Sequence, residues 1–226
     1  MNPQEFENEY STSGVVLVVR LPSSESLDDI AQSASAAGIR FLEVTTNTPG
    51  AIEWLRSRSG RDATLRLGVG TVTDVRVAET AIEAGADFLV SPHVDVRLAE
   101  VSATSSVAYI PGALTPTEVL TAHHAGAAAV KVFPVSQLGP GYIRDLRGPL
   151  PDVPLITIGG ITEENAASYV AAGATGVGIG SSFVSSASIA DGDWELLTRR
   201  LAVLVERVAG AREGLHRAQL LDGDER

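Results

Sequence analysis

Residues 127–134 read Ala-Ala-Ala-Val-Lys-Val-Phe-Pro, a short apolar run that follows Gly126 and contains one charged residue, Lys131. A continuous apolar run of this length, bounded by glycine and proline, is typical of a buried strand. Strands that are apolar on both faces occur in parallel sheets covered by helices. The segment therefore predicts an α/β protein with a lysine inside a buried strand.

Lys131 is a candidate functional residue because a lysine is almost never fully buried without a partner or a task. Removal from water favours the neutral amine, and a neutral amine can form a Schiff base with a carbonyl group. The alternative is structural: the side chain reaches solvent at the end of the strand or pairs with a carboxylate. The segment alone leaves both interpretations open.

Strands and helices alternate on both sides of this segment. Seven further apolar runs predict strands, at residues 15–19, 41–45, 64–69, 88–90, 107–110, 155–158 and 176–179. Helices between them are predicted from capping residues at Ser24 or Ser26, Thr73, Thr115 and Thr162, and from terminating glycines at positions 38, 60, 85 and 126. Asp193 begins a long amphipathic C-terminal helix that carries Leu196, Leu197, Leu201, Leu204 and Val205.

About eight such units in about 200 residues predict an α/β fold of the (β/α)8 TIM barrel type. The competing architecture is an open doubly wound sheet, but no Gly-x-Gly-x-x-Gly motif follows the first strand. No linker divides the chain, so we expect a single domain over residues 1–226. The polar residues from about 211 to 226 are expected to form a loosely held tail.

Composition narrows the class of protein. The chain is 44% hydrophobic and 20% charged, carries a net charge of −11 and contains no cysteine. An acidic chain without a basic cluster argues against nucleic acid and against anionic membranes as partners. The sequence shows no signal peptide, no run long enough to span a membrane and no metal-ligand spacing around His93, His123 and His124. We expect a cytoplasmic protein without a metal or cofactor.

Function in a TIM barrel gathers at the C-terminal ends of the strands. Polar, glycine and proline residues and one phenylalanine stand at those ends in this chain: Arg20, Glu43, Thr71, Pro92, Lys131, Phe133, Gly159, Gly160, Gly180, Ser181 and Ser182. Glu43 is a second charge inside an apolar strand, and a carboxyl group beside an amine suits proton transfer to and from a Schiff base. An ion pair that only neutralises both groups is the alternative.

The glycines after the last two strands suggest a phosphate site. Gly159-Gly160 and Gly180-Ser181-Ser182 allow backbone N–H groups to approach a phosphate, although tight turns also favour glycine. Arg20 could hold a carboxylate or simply be solvated, and Thr71 could contact substrate or the helix entry. Phe133 could pack beside a substrate or belong to the core.

With these residues placed, the chain resembles the 2-keto-3-deoxy-6-phosphogluconate aldolase family, the class I aldolases of the Entner–Doudoroff type. The resemblance covers about residues 15–205 and is carried by the stretches 38–44, 68–72, 91–92, 110–112, 130–134, 159–161 and 180–182. It implies a Schiff base between Lys131 and pyruvate, with Glu43 as general acid/base and Thr71 at the pyruvyl group. It also implies that the two glycine loops bind phosphate, that no metal is needed, and that the protein is a homotrimer.

One difference from the family's gluconate-type members bears on which sugar acid is the substrate. Many gluconate-type members carry an arginine soon after the catalytic glutamate, whereas this chain has Asn47-Thr48-Pro49. That stretch is similar to the galactonate branch, which places its arginine at the end of the first strand, where Arg20 stands. Three rival hypotheses remain. The protein could be an aldolase that cleaves 4-hydroxy-2-oxoglutarate, or another phosphate-binding barrel such as an epimerase or a thiamine phosphate synthase. It could also be a non-catalytic barrel that binds a phosphate or a keto acid.

Overall fold

A computed structural model of the chain describes residues 1–60 and 64–223. Within these residues, nine parallel strands form one sheet: β1 Val15–Val19, β2 Phe41–Thr45, β3 Arg66–Gly70, β4 Phe88–Val90, β5 Ala108–Ile110, β6 Gly112–Ala113, β7 Val130–Val132, β8 Leu155–Ile158 and β9 Gly176–Ile179. Their order in the sheet is β5-β4-β3-β2-β1-β9-β8-β7-β6. The bounds of the predicted strands are correct to within two residues, apart from those of the strand that contains Lys131, which is shorter than the apolar run.

The strands at the two ends of that order are halves of one strand, interrupted at Pro111. Proline has no N–H to give to a neighbouring strand, but the carbonyl of Pro111 accepts a hydrogen bond from the backbone N–H of Lys131 at 2.9 Å. On the other side of the interruption, the N–H of Ala128 donates to the carbonyl of Tyr109 at 3.0 Å. These bonds close the sheet into the predicted (β/α)8 TIM barrel, and the open doubly wound alternative is wrong.

Helices surround the strands. Those in the described part of the chain are α1 Pro3–Ser13, α2 Leu27–Ala36, α3 Ala51–Arg58, α4 Val75–Glu83, α5 Val96–Thr104, α6 Pro116–His124, α7 Gly139–Arg147, α8 Ala166–Ala171, α9 Ser186–Ala190 and α10 Trp194–Gly223. Apart from α1, their apolar faces pack on the outward-facing strand residues in one continuous core. None of these helices is long and apolar enough to cross a membrane.

Two of the predicted capping residues are correct and two are wrong. Thr115 caps α6 with Glu118 in a capping box, and Asp193 accepts from the N–H of Leu196 ahead of α10. Thr73 is not the cap of α4, because the carboxylate of the next residue, Asp74, accepts from the N–H of Val77.

Thr162 does not open its helix either. Its N–H donates to the side-chain oxygen of Asn165 at 2.8 Å, and this turn delays the start of α8 to Ala166. Ser26 stands at the cap position of α2 but makes no side-chain capping bond.

Helix α1 was not predicted, and it closes the N-terminal end of the barrel. Its N-terminus carries a recognisable signal, since Asn2 and Glu5 form a capping box around Pro3. Phe6 and Tyr10 are buried on its inner face. Because the rest of the helix is polar, the segment shows almost no apolar periodicity, and only the tertiary structure reveals its position.

The C-terminal segment that we expected to be a loose tail continues α10 as far as Gly223, and Ala211 packs against the core. That the residues after Ala211 are loosely held stays a prediction. Residues 224–226 lie outside the described part of the chain. The amphipathic C-terminal helix itself is confirmed, with Leu197, Leu201 and Leu204 buried.

Candidate active site

A cavity of about 380 Å³ opens at the C-terminal ends of the strands. Every residue proposed from the sequence as a site residue lines it: Arg20, Glu43, Thr71, Pro92, Lys131, Phe133, Gly159, Gly160, Gly180, Ser181 and Ser182. These residues come from seven of the eight barrel strands or from the loops after them, so barrel closure brings together positions far apart in sequence.

Glu43 points into the barrel from β2, on the same face as Phe41 and Thr45. The residue is 1% exposed, and its Oε2 atom has no hydrogen-bond partner among the described residues. Burial raises the pKa of the Glu43 carboxyl group, while the positive charges of Lys131 and Arg20 act in the opposite direction more weakly. The carboxyl group therefore keeps its proton to a higher pH than an exposed glutamate, as a group that both gives and takes protons should.

Lys131 enters the same cavity from β7 and is 7% exposed. Its Nζ atom lies over the ring of Phe133, 5.0 Å from the ring centroid. Within the described chain, no carboxylate oxygen lies within ion-pair distance of Nζ. Neither a solvent-exposed lysine nor a direct ion pair describes this side chain, so both structural alternatives for Lys131 are disfavoured.

Two glycines allow neighbouring groups to approach closely in this part of the barrel. A Cβ atom on Gly70 would lie 1.8 Å from Oε1 of Glu43, so the carboxyl group occupies the place where another residue would have its side chain. A Cβ atom on Gly112 would lie 2.4 Å from the backbone carbonyl carbon of Pro92. Both glycines lie in stretches that carry the family resemblance, 68–72 and 110–112, but these close approaches appear only when neighbouring strands are aligned.

The loops after β8 and β9 offer unpaired backbone donors. The N–H groups of Gly160, Ile161, Ser181 and Ser182 donate no hydrogen bond to any described residue. Gly159 and Gly160 have φ angles of +100° and +75°, a conformation that favours glycine. Four unpaired donors at the edge of one cavity can hold a phosphate group.

The loop after β3 is strained at Thr71, which has a φ angle of +60°. This conformation is held by Thr46, whose hydroxyl donates to the carbonyl of Thr71 at 3.1 Å. Strain of this kind costs about 1–3 kcal/mol and is concentrated at functional sites. The strained loop turns Thr71 towards the cavity that Glu43 and Lys131 share.

Arg20 follows β1 at the rim of the cavity, whereas Asn47 is exposed and does not line it. The two loops are joined, because the hydroxyl of Thr48 accepts a hydrogen bond from the N–H of Leu21 at 3.1 Å. A cationic group is therefore present in the mouth of the barrel, at the position after β1 and not at the position after β2.

Six lining residues were not selected from the sequence: Val18, Ile158, Ile161, Thr162, Gly178 and Val184. The alternation of faces along a strand could have found Val18 and Ile158, which share faces with Arg20 and Gly160. Gly178 lies in β9 on the same face as Gly180 and could have been found in the same way, whereas Ile161, Thr162 and Val184 follow the strands in loops whose course no local pattern indicates. No cluster of three or more possible metal ligands occurs among the residues described.

A TIM barrel with a buried amine, a buried carboxyl group and unpaired N–H donors in one cavity can carry out imine chemistry on a phosphorylated carbonyl compound. Comparisons with known proteins agree with that class. The family model for KDPG and KHG aldolases matches residues 6–200. The chain belongs to this aldolase family.

Several relatives bear on the substrate. A probable 2-dehydro-3-deoxy-6-phosphogalactonate aldolase from Rhizobium meliloti is 32% identical over 170 residues, covering 74% of this chain and 80% of its own. A 2-dehydro-3-deoxy-phosphogluconate aldolase from Treponema pallidum is 36% identical over 185 residues, covering 81% and 88%. A solved KDPG aldolase from Legionella pneumophila, described as holding pyruvate as a covalent carbinolamine, has a TM-score of 0.81 at 27% identity, covering 90% and 98%.

Proposed function

We propose that the protein is a class I aldolase that cleaves a 2-keto-3-deoxy-6-phospho sugar acid into pyruvate and glyceraldehyde 3-phosphate. The observation that carries the proposal is the shared burial of Lys131 and Glu43 in one cavity without a direct ion pair. Two buried ionisable groups that are not paired with each other by contact are costly, and such groups are retained where chemistry needs them. The names of the relatives agree with this activity.

The first steps build an electron sink. The neutral amine of Lys131 attacks the C2 carbonyl carbon of the substrate and forms a carbinolamine. Loss of water from that carbinolamine leaves an iminium ion between Nζ and C2. The carbinolamine of pyruvate described for the Legionella pneumophila aldolase is the corresponding adduct in a relative.

Glu43 then moves the protons. Its carboxylate, directly or through a water molecule, takes the proton from the C4 hydroxyl group of the substrate. The C3–C4 bond breaks, its electron pair forms an enamine, and glyceraldehyde 3-phosphate leaves. The protonated carboxyl group returns a proton to C3 of the enamine, and water hydrolyses the resulting iminium to free pyruvate and the amine.

The remaining lining residues position the substrate. Arg20 and Thr71 are proposed to hold the carboxylate end, and the unpaired N–H groups after β8 and β9 the phosphate end. Pro92 and Phe133 bound the space beside the reacting carbon atoms. Fixing both ends of the substrate reduces the entropy that must be lost before the bond breaks.

We infer that the galactonate-type epimer is the better substrate. Arg20 lines the cavity and Asn47 does not, which is the arrangement that the family resemblance associates with the galactonate branch. Steady-state kcat/KM values on the two C4 epimers test this inference. A higher value on the gluconate epimer would contradict it without affecting the aldolase proposal.

Reductive trapping tests the imine, and this chain is unusually suited to it because Lys131 is its only lysine. Sodium borohydride in the presence of pyruvate should add one carboxyethyl group to Lys131 and abolish aldolase activity. Peptide mass spectrometry distinguishes this site from the other primary amine, at the N-terminus. Activity that survives, with no mass added at Lys131, would reject the mechanism.

The rival activities give different results in the same assays. A 4-hydroxy-2-oxoglutarate aldolase would be trapped by borohydride but would cleave the unphosphorylated substrate faster than the phosphorylated one. A non-catalytic binding barrel would show a ligand-dependent rise in melting temperature but no pyruvate release in an assay coupled to lactate dehydrogenase. An epimerase or thiamine phosphate synthase would not be trapped.

We also propose a cytoplasmic homotrimer that works without a metal or cofactor. Large apolar side chains that remain exposed on the described chain are compatible with subunit contacts: Val96, Leu138, Leu196 and Val203. Sedimentation equilibrium gives the oligomeric state directly. Full activity after exhaustive treatment with a chelator is the expected outcome for an imine mechanism.

A further inference from the structure

A second cavity, of about 580 Å³, lies at the end of the barrel opposite the active site. The C-terminal parts of α7 and α8, the segment that leads into β9, and residues 212–216 of α10 surround it. Because residues 173–175 immediately precede β9, this cavity opens at the N-terminal end of the strands. We call it the basal cavity.

Positive charge is concentrated in the basal cavity. Arg144, Arg147, Arg212 and His216 line it, and no aspartate or glutamate does. This is unexpected in a chain with a net charge of −11, in which acidic residues outnumber lysine and arginine by 28 to 17. Asp152 acts on Arg147 through space and raises the pKa of its guanidinium group, against the larger lowering effect of burial.

The backbone fixes Arg147 in the wall of the cavity. Its Nε atom donates to the carbonyl of Gly173 at 2.8 Å, and its Nη1 atom donates to three further carbonyl groups. Gly173 has a φ angle of +104°, and a Cβ atom there would lie 2.7 Å from Cγ of the arginine. The remaining nitrogen, Nη2, donates to no described residue and is available to a ligand.

Arg212 and Arg144 carry unneutralised charge. Arg212 is partly buried against Gly14, where a Cβ atom would lie 2.9 Å from Nη1, and it has no carboxylate partner in the described part of the chain. Burial lowers the pKa of its guanidinium group, which means that its solvation is incomplete. Arg144 is exposed at the rim and is likewise without an ion pair to any described residue.

We propose that the basal cavity binds an anion with two or more phosphate groups. Guanidinium groups match phosphate oxygens with paired donors, and all three long cationic side chains of the cavity are arginines. Its volume falls in the range of about 300–1,000 Å³ that is usual for small-molecule sites. Pro151 and Leu215 add apolar surface on which the rest of an organic phosphate can lie.

Pyrophosphate is the probe, titrated calorimetrically into the full chain at low ionic strength. Compared with the wild type, the Arg144→Gln/Arg212→Gln variant should bind one pyrophosphate fewer per chain, or bind it at least about tenfold more weakly. The matched control is Arg56→Gln/Arg199→Gln, which removes the same charge from exposed positions on α3 and α10. Any pyrophosphate bound at the active site is common to all three proteins and cancels in the comparison.

The proposal is wrong if the cavity variant and the control variant bind pyrophosphate with equal stoichiometry and affinity. Arg212 is partly buried, so the single Arg144→Gln variant provides a second test at an exposed position and should weaken binding in the same direction. Aldolase activity and borohydride trapping should be unchanged in both variants. Activity and trapping therefore test the aldolase proposal, and pyrophosphate binding tests the basal cavity, so the failure of one proposal can be distinguished from the failure of the other.

Discussion

The two ends of the barrel interior are built by the same strands but are filled in opposite ways. At the N-terminal end, the rings of Phe6, Tyr10, Phe41 and Phe88 pack with centroids 5.0–5.8 Å apart. At the C-terminal end, glycines leave a cavity that contains charged groups. One end is closed by apolar contact, and the other is kept open.

Buried polar groups at the two ends differ in whether they have partners. The hydroxyl of Tyr10 lies 3.1 Å from the carbonyl of Val177, and burial raises the pKa of its phenol, so it stays a neutral donor. Burial also raises the pKa of Glu43, but Oε2 of that residue has no partner among the described residues. Satisfied groups stabilise a fold, whereas an unsatisfied one is free to react.

Replacing Lys131 by methionine should give the largest effect. We expect kcat to fall by about 10⁴-fold or more, the scale seen when a covalent nucleophile is lost. Stability should hold or rise, because an apolar side chain of similar length replaces a buried amine. Coupled pyruvate-release assays and urea unfolding measure both quantities. A residual kcat above a tenth of the wild-type value would contradict the assignment of the active site to the C-terminal end of the barrel.

Glu43→Gln should lower kcat by about 10²–10⁴-fold, the usual contribution of a general acid/base. It should also stabilise the protein at pH 8. Because the folded-state pKa of Glu43 is raised, the unfolded chain loses its proton first, and the wild type loses stability as pH rises from about 4 towards the folded pKa.

Glutamine does not titrate, so the stability difference should shrink as the pH is lowered towards about 4. Urea unfolding of the variant and the wild type at pH 4, 6 and 8 checks the sign. A difference that instead grows on acidification would mean that Glu43 is stabilised as the carboxylate in the folded protein.

At the opposite end, Phe6→Ala should cost about 3–5 kcal/mol of unfolding free energy, because it leaves a cavity among three aromatic rings. The kcat of the folded fraction should be unchanged. Glu79→Ala, a side-chain truncation at an exposed position of α4, is the control and should stay within about 0.5 kcal/mol of the wild type. Loss of kcat in the Phe6 variant would show that the two ends are coupled.

Gly70→Ala should have the smallest of these effects. The new methyl group would displace the carboxyl group of Glu43, and a misplacement of about 1 Å can cost about 10²-fold in rate. Because the displaced carboxyl group of Glu43 would have different surroundings, the acid limb of the pH–rate profile should also shift. Gly210→Ala, which meets no atom within 4 Å, is the control and should leave the profile unchanged. Equal profiles would show that Glu43 tolerates the added group.

Much of the C-terminal end of the barrel could be predicted, because the residues that mark it stand out against their immediate neighbours in the sequence. Lys131 and Glu43 are anomalous within apolar strands, and the glycine pairs follow the strands where a barrel gathers its function. The plugged end was missed, since α1 is polar apart from Phe6 and Tyr10 and its capping box was the one available signal. The cap of α4 was misplaced by one residue because threonine and aspartate are both good caps.

The sequence by itself determined the alternation of strands and helices and the two buried charges, because hydrophobic period and local composition carry that information. Only the tertiary structure decided that the carboxyl group of Glu43 occupies the space of a missing side chain at Gly70. It also decided that an N-terminal helix seals the far end and that arginines from α7 and α10 meet beside it. Those features depend on contacts between segments far apart in the sequence, and such contacts produce no periodic pattern of residues from which they could be predicted.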